Sequence, residues 1–232
     1  FLGYREYDVI TEDSGITFKV RPGTGLGILR ADQDLPGTFH AIPQPNGTPE
    51  LMIITKDNQK SRVHRPAYLD YIAFRIFDAD EKVVRERRFL GLFSSSAYSE
   101  SVARVPVLRQ KAAAVIRLSG YSEHSHGGKA IMDVLETYPR DELFQTPLAE
   151  LAAVVEKVAH LKERRQVRMF VRRDPYGRYL SCLIYLPRDR YTTSVRRRME
   201  NLLMSALGGS SIEYTARVTE SVLARLHFVV RM

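Results

Sequence analysis

The sequence predicts an α+β protein: an antiparallel, strand-rich first region, a helical middle and a two-layer α/β sandwich at the end. Three observations predict it. Up to about residue 97, short alternating runs are separated by turn residues and no long helical stripe occurs. From 98 to 165 the apolar residues recur at helical spacing. From 167 onward, strand-like runs flank a helical pattern and, taken with the helix before them, give the order α-β-β-α-β-β.

The first region offers strands at 1–9, 16–20, 26–30, 50–56, 68–77 and 82–94. The last two flank Asp78-Ala79-Asp80-Glu81, a polar turn, and so form a hairpin. In 68–77, Ile72, Phe74 and Ile76 share one face, and Tyr71, Ala73 and Arg75 the other. Residues 36–49 carry four prolines and read as a long loop. A mostly antiparallel sheet of around five strands follows.

In the middle region, Leu108, Ala112, Val115 and Ile116 form one helical stripe, with Gly120 as its stop. Ile131, Val134 and Leu135 form a second, ended by Pro139. Thr146 and Pro147 open a third helix as N-cap and first helical residue. Leu148, Leu151, Val155 and Val158 are its apolar stripe, and Lys162, Arg164 and Arg165 suit its negative end.

The last region contains strands at 167–173 and 178–187, joined by Asp174-Pro175-Tyr176-Gly177. Asp, Pro and Gly at the first, second and fourth positions mark a type I turn. A helix follows from about Thr193 to Leu207, with Val195, Met199, Leu202, Leu203, Ala206 and Leu207 on its stripe, Arg196 and Arg197 facing away, and Gly208 as its stop. Two more strands close the chain. The first buries Ile212, Tyr214, Ala216 and Val218. The second buries Val222, Ala224, Leu226, Phe228 and Val230, with Arg225, His227 and Arg231 opposite. Helices packed on one face of an antiparallel sheet give a sandwich of ferredoxin-like type.

Charge is unevenly placed. Of the net +8, residues 1–99 contribute zero, 100–165 contribute +1, and 166–232 contribute +7, where every basic residue is arginine. A positive field of that kind attracts nucleic acid, phosphate or an acidic protein surface, although the chain's 27 arginines against 8 lysines also fit a plain coding bias. Cys182 is the single cysteine, so no internal disulfide forms, and a reducing compartment is the simple reading. It alternates in phase with Leu180, Ile184 and Leu186, which predicts a buried, unreactive thiol. No apolar run reaches the ~18 residues a membrane helix needs. The chain opens at Phe1 directly into strand-like sequence and reads as a piece of a longer protein.

Candidate chemistry is sparse. GTGLGILR (23–30) misses the dinucleotide fingerprint, because Ile28 or Arg30 stands where the third glycine is required; flexible loop glycines account for it. His124 and His126 lack further ligands for a metal and read as a polar helix lead-in. Ser94–Ser96 lacks a nucleophile elbow, and Asp78 and Asp80 sit solvated in a turn. The second functional reading is an RNA-binding sheet, with Phe170, Tyr179, Tyr185, Tyr214 and Phe228 on strands and Arg168 and Arg172 in phase with Phe170.

Several stretches together carry a resemblance: FLGYREYDV (1–9), GTGLGILR (23–30), residues 64–98, SHGGKAI (125–131), ETYPRDELFQ (136–145), residues 167–200 and LARLHFVVR (223–231). In this order they resemble the large bacterial NAD-dependent glutamate dehydrogenases. The resemblance implies a place in the long N-terminal region, ahead of the catalytic domain, that contains PAS-type and ACT-type modules. It implies a PAS-like domain at 1–97, a helical connector at 98–139 and an ACT-like domain at 140–232. An ACT module runs β-α-β-β-α-β; the order here lacks its first strand and has an extra final one. The implied role is non-catalytic regulation and oligomerisation of an enzyme converting L-glutamate and NAD to 2-oxoglutarate and ammonium. No catalytic, cofactor-binding or metal residue carries over, and NAD belongs to the missing catalytic part. The implied partners are other domains and subunits of the same enzyme in a homo-oligomer and a small-metabolite effector, in the cytoplasm, with no membrane and no nucleic acid. At Glu81 the family pattern has a turn glycine, and a type I turn or longer loop accommodates the glutamate without strain.

Overall fold

The structure is a computed structural model that describes residues 1–12, 15–30, 38–41, 50–164 and 166–232. It divides into two compact units, Phe1–Ser95 with Pro175–Gly177, and Ser96–Asp174 with Arg178–Met232.

The first unit is an antiparallel sheet of β1 (Gly3–Glu12), β2 (Gly15–Val20), β3 (Leu26–Gly27), β4 (Thr38–Ala41), β5 (Met52–Lys60), β6 (Tyr68–Phe77) and β7 (Val83–Gly91). The strand order is β4-β2-β1-β7-β6-β5, with the short β3 paired to β1. Its core is Tyr7, Phe18, Leu29, Ile53, Leu69, Tyr71, Ala73, Leu90 and Tyr176. In β6 the face of Tyr71 and Ala73 is therefore the inner one, while Phe74 is exposed.

Three expectations change here. The stretch 36–49 holds a strand, because Thr38–Ala41 pairs with Ile16–Lys19; the rest of it lies outside the described residues. Two of the three glycines of 23–30, Gly25 and Gly27, are packing residues, while Gly23 has open space around it and adopts φ 74°. A Cβ on Gly25 would meet the Leu29 carbonyl oxygen at 2.2 Å, and one on Gly27 would meet that of Leu2 at 2.1 Å. The β6–β7 turn places Glu81 at φ 59°, in the left-handed region. The turn therefore retains the conformation that a glycine satisfies, and the glutamate carries a strain of about 1 kcal/mol.

The second unit begins with α1 (Ser96–Ser99), α2 (Leu108–Leu118), α3 (His126–Thr137), α4 (Arg140–Gln145) and α5 (Leu148–Arg164). The predicted stripes are buried in α2, at Leu108, Ala112, Val115 and Ile116, and in α3, at Ile131, Val134 and Leu135. Ser125, between the two histidines, caps α3 by accepting from the Gly128 N–H. In α5, Leu151, Val155 and Val158 are buried. Thr146 precedes that helix, but its hydroxyl has no hydrogen-bond partner among the described residues. Its backbone N–H instead closes α4 on Glu142. The basic side chains expected at the helix end, Lys162, Arg164 and Arg165, lie outside the described ones.

The remainder is β8 (Arg168–Arg173), β9 (Tyr179–Pro187), α6 (Thr193–Leu207), β10 (Ser211–Arg217) and β11 (Leu223–Arg231). Thr192 caps α6 through the Val195 N–H, and Gly208 ends it at φ 65°, the stop the sequence predicts. The sheet order is β10-β11-β9-β8, antiparallel throughout. A ferredoxin-like sheet has the order 4-1-3-2, so β11 fills the central place of the missing first strand. The extra last strand thus completes the sandwich. Its core is Cys182, Ile184, Leu186, Ala224, Leu226, Phe228 and Val230 against Leu203 of α6.

Strand β10 departs from its alternation. Ile212 is half-buried, Tyr214 and Val218 are exposed, and the strand lies at the sheet edge. Val222 is exposed as well. Period-two patterning marks two faces but does not say which strand has a neighbour to cover it.

Candidate functional site

The opposite face of the second sheet carries Arg172, Tyr179, Ser181, Tyr185, His227 and Arg231, all buried. The short helix α4, which the sequence reading did not find, supplies its partners. Arg172 donates to Glu142 through Nε at 2.9 Å and Nη2 at 2.7 Å, a two-pronged pair. Its Nη2 also donates to Gln145 Oε1 at 2.8 Å. The Tyr179 hydroxyl donates to the same amide oxygen. Ser181 Oγ lies 2.9 Å from His227 Nε2, and Glu142 Oε1 lies 3.7 Å from that nitrogen. Arg231 stacks over the Tyr179 ring at 5.1 Å.

The electrostatics follow from burial and pairing. Burial pushes the Glu142 carboxyl up, but the adjacent Arg172 guanidinium outweighs it and holds the group at about 2. Burial pulls His227 down, with Glu142 opposing, so the ring is held toward its neutral form. Burial raises the Cys182 thiol to about 11, consistent with an unreactive core residue.

Serine, histidine and glutamate thus meet, which spacing alone did not reveal. The geometry is not that of an acyl-transfer triad. The serine and the acid address the same ring nitrogen, whereas a triad needs the acid on the other one. Ser181 is also only 1% exposed. The network's chemistry is structural: it neutralises a buried arginine and fixes α4 to the sheet.

This placement corrects the reading of the arginines. Arg172 and Arg231 are interior, and Arg196 is buried between Glu200 and the Tyr214 ring at 4.2 Å, not turned outward. Arg168, Arg173, Arg188, Arg190, Arg197, Arg198 and Arg217 are the exposed ones. Of the five aromatics of the base platform, Tyr179, Tyr185 and Phe228 are buried, Phe170 is half-buried and Tyr214 is exposed. On the face of Tyr179 the cause is α4, whose Glu142 and Gln145 pair with Arg172 and the Tyr179 hydroxyl, whereas Phe228 lies on the other face, in the core against α6.

The first unit has its own buried charge. Glu86 and Arg88 stand two apart on β7 and pair on the inner face. The guanidinium lies over the rings of Tyr7 at 4.0 Å, Phe18 at 4.4 Å, Tyr176 at 5.1 Å and Tyr71 at 5.2 Å. The Tyr176 and Tyr71 hydroxyls donate to Glu86 Oε1 at 2.9 and 3.3 Å. Among the described residues, no group of three or more His, Cys, Asp and Glu is placed to hold a metal, and no helix is long and apolar enough to cross a membrane.

Comparison with known proteins fits these elements. Residues 105–164, from just before α2 through α5, match the family described as glutamate dehydrogenase, helical motif 1. Residues 168–232, spanning β8 to β11, match glutamate dehydrogenase, ACT2 domain. The whole chain is similar to the NAD-specific glutamate dehydrogenases of Pseudomonas aeruginosa, at 42% identity over 238 residues, and Halomonas elongata, at 38% over 242. In each case it spans 15% of the relative's length. The Mycobacterium tuberculosis protein of the same name is 36% identical over 209 residues, covering 90% of this chain and 12% of the relative. The chain belongs to the NAD-specific glutamate dehydrogenase family, of which it carries helical motif 1 and the ACT2 domain.

Proposed function

We propose that this chain is a non-catalytic regulatory and assembly segment of an NAD-dependent glutamate dehydrogenase, whose reaction takes L-glutamate and NAD to 2-oxoglutarate and ammonium. The supporting observation is coverage: similarity runs along the whole chain yet occupies only 15% of relatives that carry the activity in their name. In this reading NAD is held elsewhere in the protein, and the segment works in the cytoplasm. Residues 1–97 form a PAS-like module, 98–139 a helical connector and 140–232 an ACT-like module. Other domains and subunits of the same enzyme, in a homo-oligomer, are its partners, and a small metabolite is its effector. The inward-turned polar groups favour a scaffold over a reaction centre, because a catalytic group must reach its substrate.

The test is to incubate the purified chain with L-glutamate and NAD and follow NADH formation. No turnover is expected, and measurable turnover would overturn the reading. Adding the chain to the remainder of the parent enzyme should produce a complex in sedimentation. Two independent species would remove the assembly role.

A further inference from the structure

Within the second unit, a cavity of about 240 Å³ opens between α3 and the β9–β11 part of the sheet. Its apolar wall is Val134, Val158 and Leu223, and its polar lining includes Tyr185, Arg225 and Arg217. Tyr185 is 6% exposed, and its hydroxyl has no hydrogen-bond partner among the described residues. A buried donor left without a partner is destabilising, so its presence calls for a function. Arg225 donates one Nη1 bond to the Thr137 carbonyl, while its Nε has no partner among the described residues. No carboxylate pairs with it there. Burial, joined by the Arg217 charge, pulls this guanidinium down. Two cations and a phenol therefore converge on a space with apolar walls.

The acids at the cavity do not neutralise them. Glu136 is engaged by the Ser101 hydroxyl, the Val102 N–H and Arg140. Asp133 is exposed at the rim and makes no ion pair with either arginine among the described residues. A cavity of this size excludes a nucleic-acid strand and favours a small ligand.

We propose that this cavity is a binding site for a small carboxylate with a short aliphatic body. The carboxylate is held by Arg225 and the Tyr185 hydroxyl, with Arg217 at the mouth and the aliphatic part against Val134, Val158 and Leu223. A planar guanidinium matches a carboxylate with two parallel hydrogen bonds. The volume suits a molecule of few atoms, since it lies below the ~300 Å³ at which drug-sized pockets begin. The site deepens the regulatory reading of the segment, but binding to this chain does not depend on the parent's reaction. A failed titration removes the site and leaves the family assignment untouched, whereas NADH formation by the chain removes the regulatory reading alone.

The experiment titrates the full 232-residue chain with butyrate, its neutral isostere butyramide and inorganic phosphate, read by thermal shift and by amide NMR shifts. Butyrate is expected to raise the melting temperature saturably and to move the resonances of Thr137, Tyr185 and Leu223, while butyramide does neither. Arg225→Gln is expected to weaken butyrate binding roughly tenfold or more, and Tyr185→Phe several-fold. Tyr185→Phe removes a hydroxyl without a partner, so the unliganded variant should melt at or above the parent temperature, which keeps the test valid if Arg225→Gln fails to fold. Equal response to butyrate and butyramide, unchanged butyrate affinity in Tyr185→Phe, or saturable binding of phosphate without butyrate each overturns the proposal.

Discussion

Both units bury arginines, and two of these, Arg88 in the first and Arg172 in the second, are held by different chemistry. In the first, Arg88 lies among four aromatic rings, with Glu86 two residues along the same strand. In the second, Arg172 finds its carboxylate, Glu142, 30 residues away on another element, and the amide of Gln145 beside it. The first centre is a local pair inside an aromatic shell. The second is a long-range pair whose formation fixes a helix to a sheet. The difference teaches that a buried cation can be supported by polarisable rings near a sequence neighbour, or by a two-pronged pair that tertiary folding must assemble.

The largest expected effect breaks the long-range pair. Glu142→Ala leaves Arg172 charged and buried and is expected to lower stability by about 3–5 kcal/mol in urea unfolding. Glu142→Leu combined with Arg172→Met removes both charges, and its loss should be much smaller. A double variant as unstable as the single one would mean that the pair is not the source of the effect.

Acid probes the same centre. Glu142 titrates at about 2 in the folded chain against an ordinary 4.5, a depressed value. Its contribution is fully present above pH 4.5 and is lost as pH falls toward 2. The loss should total about 3 kcal/mol. His227 is also depressed, below an ordinary 6.5, so the unfolded chain takes that proton first and stability starts to decline below pH 6.5. Urea midpoints measured across pH should show both steps, and His227→Gln should abolish the upper one only.

In the first unit, Tyr176→Phe removes one donor to Glu86 while Tyr71 remains. The expected loss is about 1.5 kcal/mol, at the low end for a hydrogen bond to a charged group. A loss as large as that of Glu142→Ala would erase the contrast between a ring-supported and a pair-supported cation. The smallest effect has the opposite sign. Glu81→Gly should stabilise by about 1 kcal/mol in thermal unfolding, because glycine adopts the left-handed turn freely.

Local patterns made much of the fold legible. Gly208 ends α6, Asp174 to Gly177 turn the hairpin, and the phase of Cys182 places it in the core. Strand β4 was hidden because proline-rich flanks mask four pairing residues. Helix α4 was hidden because six residues after a proline are too few to display a helical period. The buried network was illegible for a further reason: Ser181, His227 and Glu142 are drawn from three separate elements, and nothing local joins them.

The sequence alone determined the α+β class, the stop of α6, the hairpin turn and the kinship, since each depends on periodicity, turn residues or motif strings within a few residues. Only the tertiary structure decided that β11 takes the centre of the second sheet and that β10 is left at its edge. It also decided which arginines go inside. Whether a strand face meets water or a carboxylate depends on a partner elsewhere in the chain. A guanidinium enters the interior only where folding brings the partner that offsets its desolvation, as Glu142 does for Arg172.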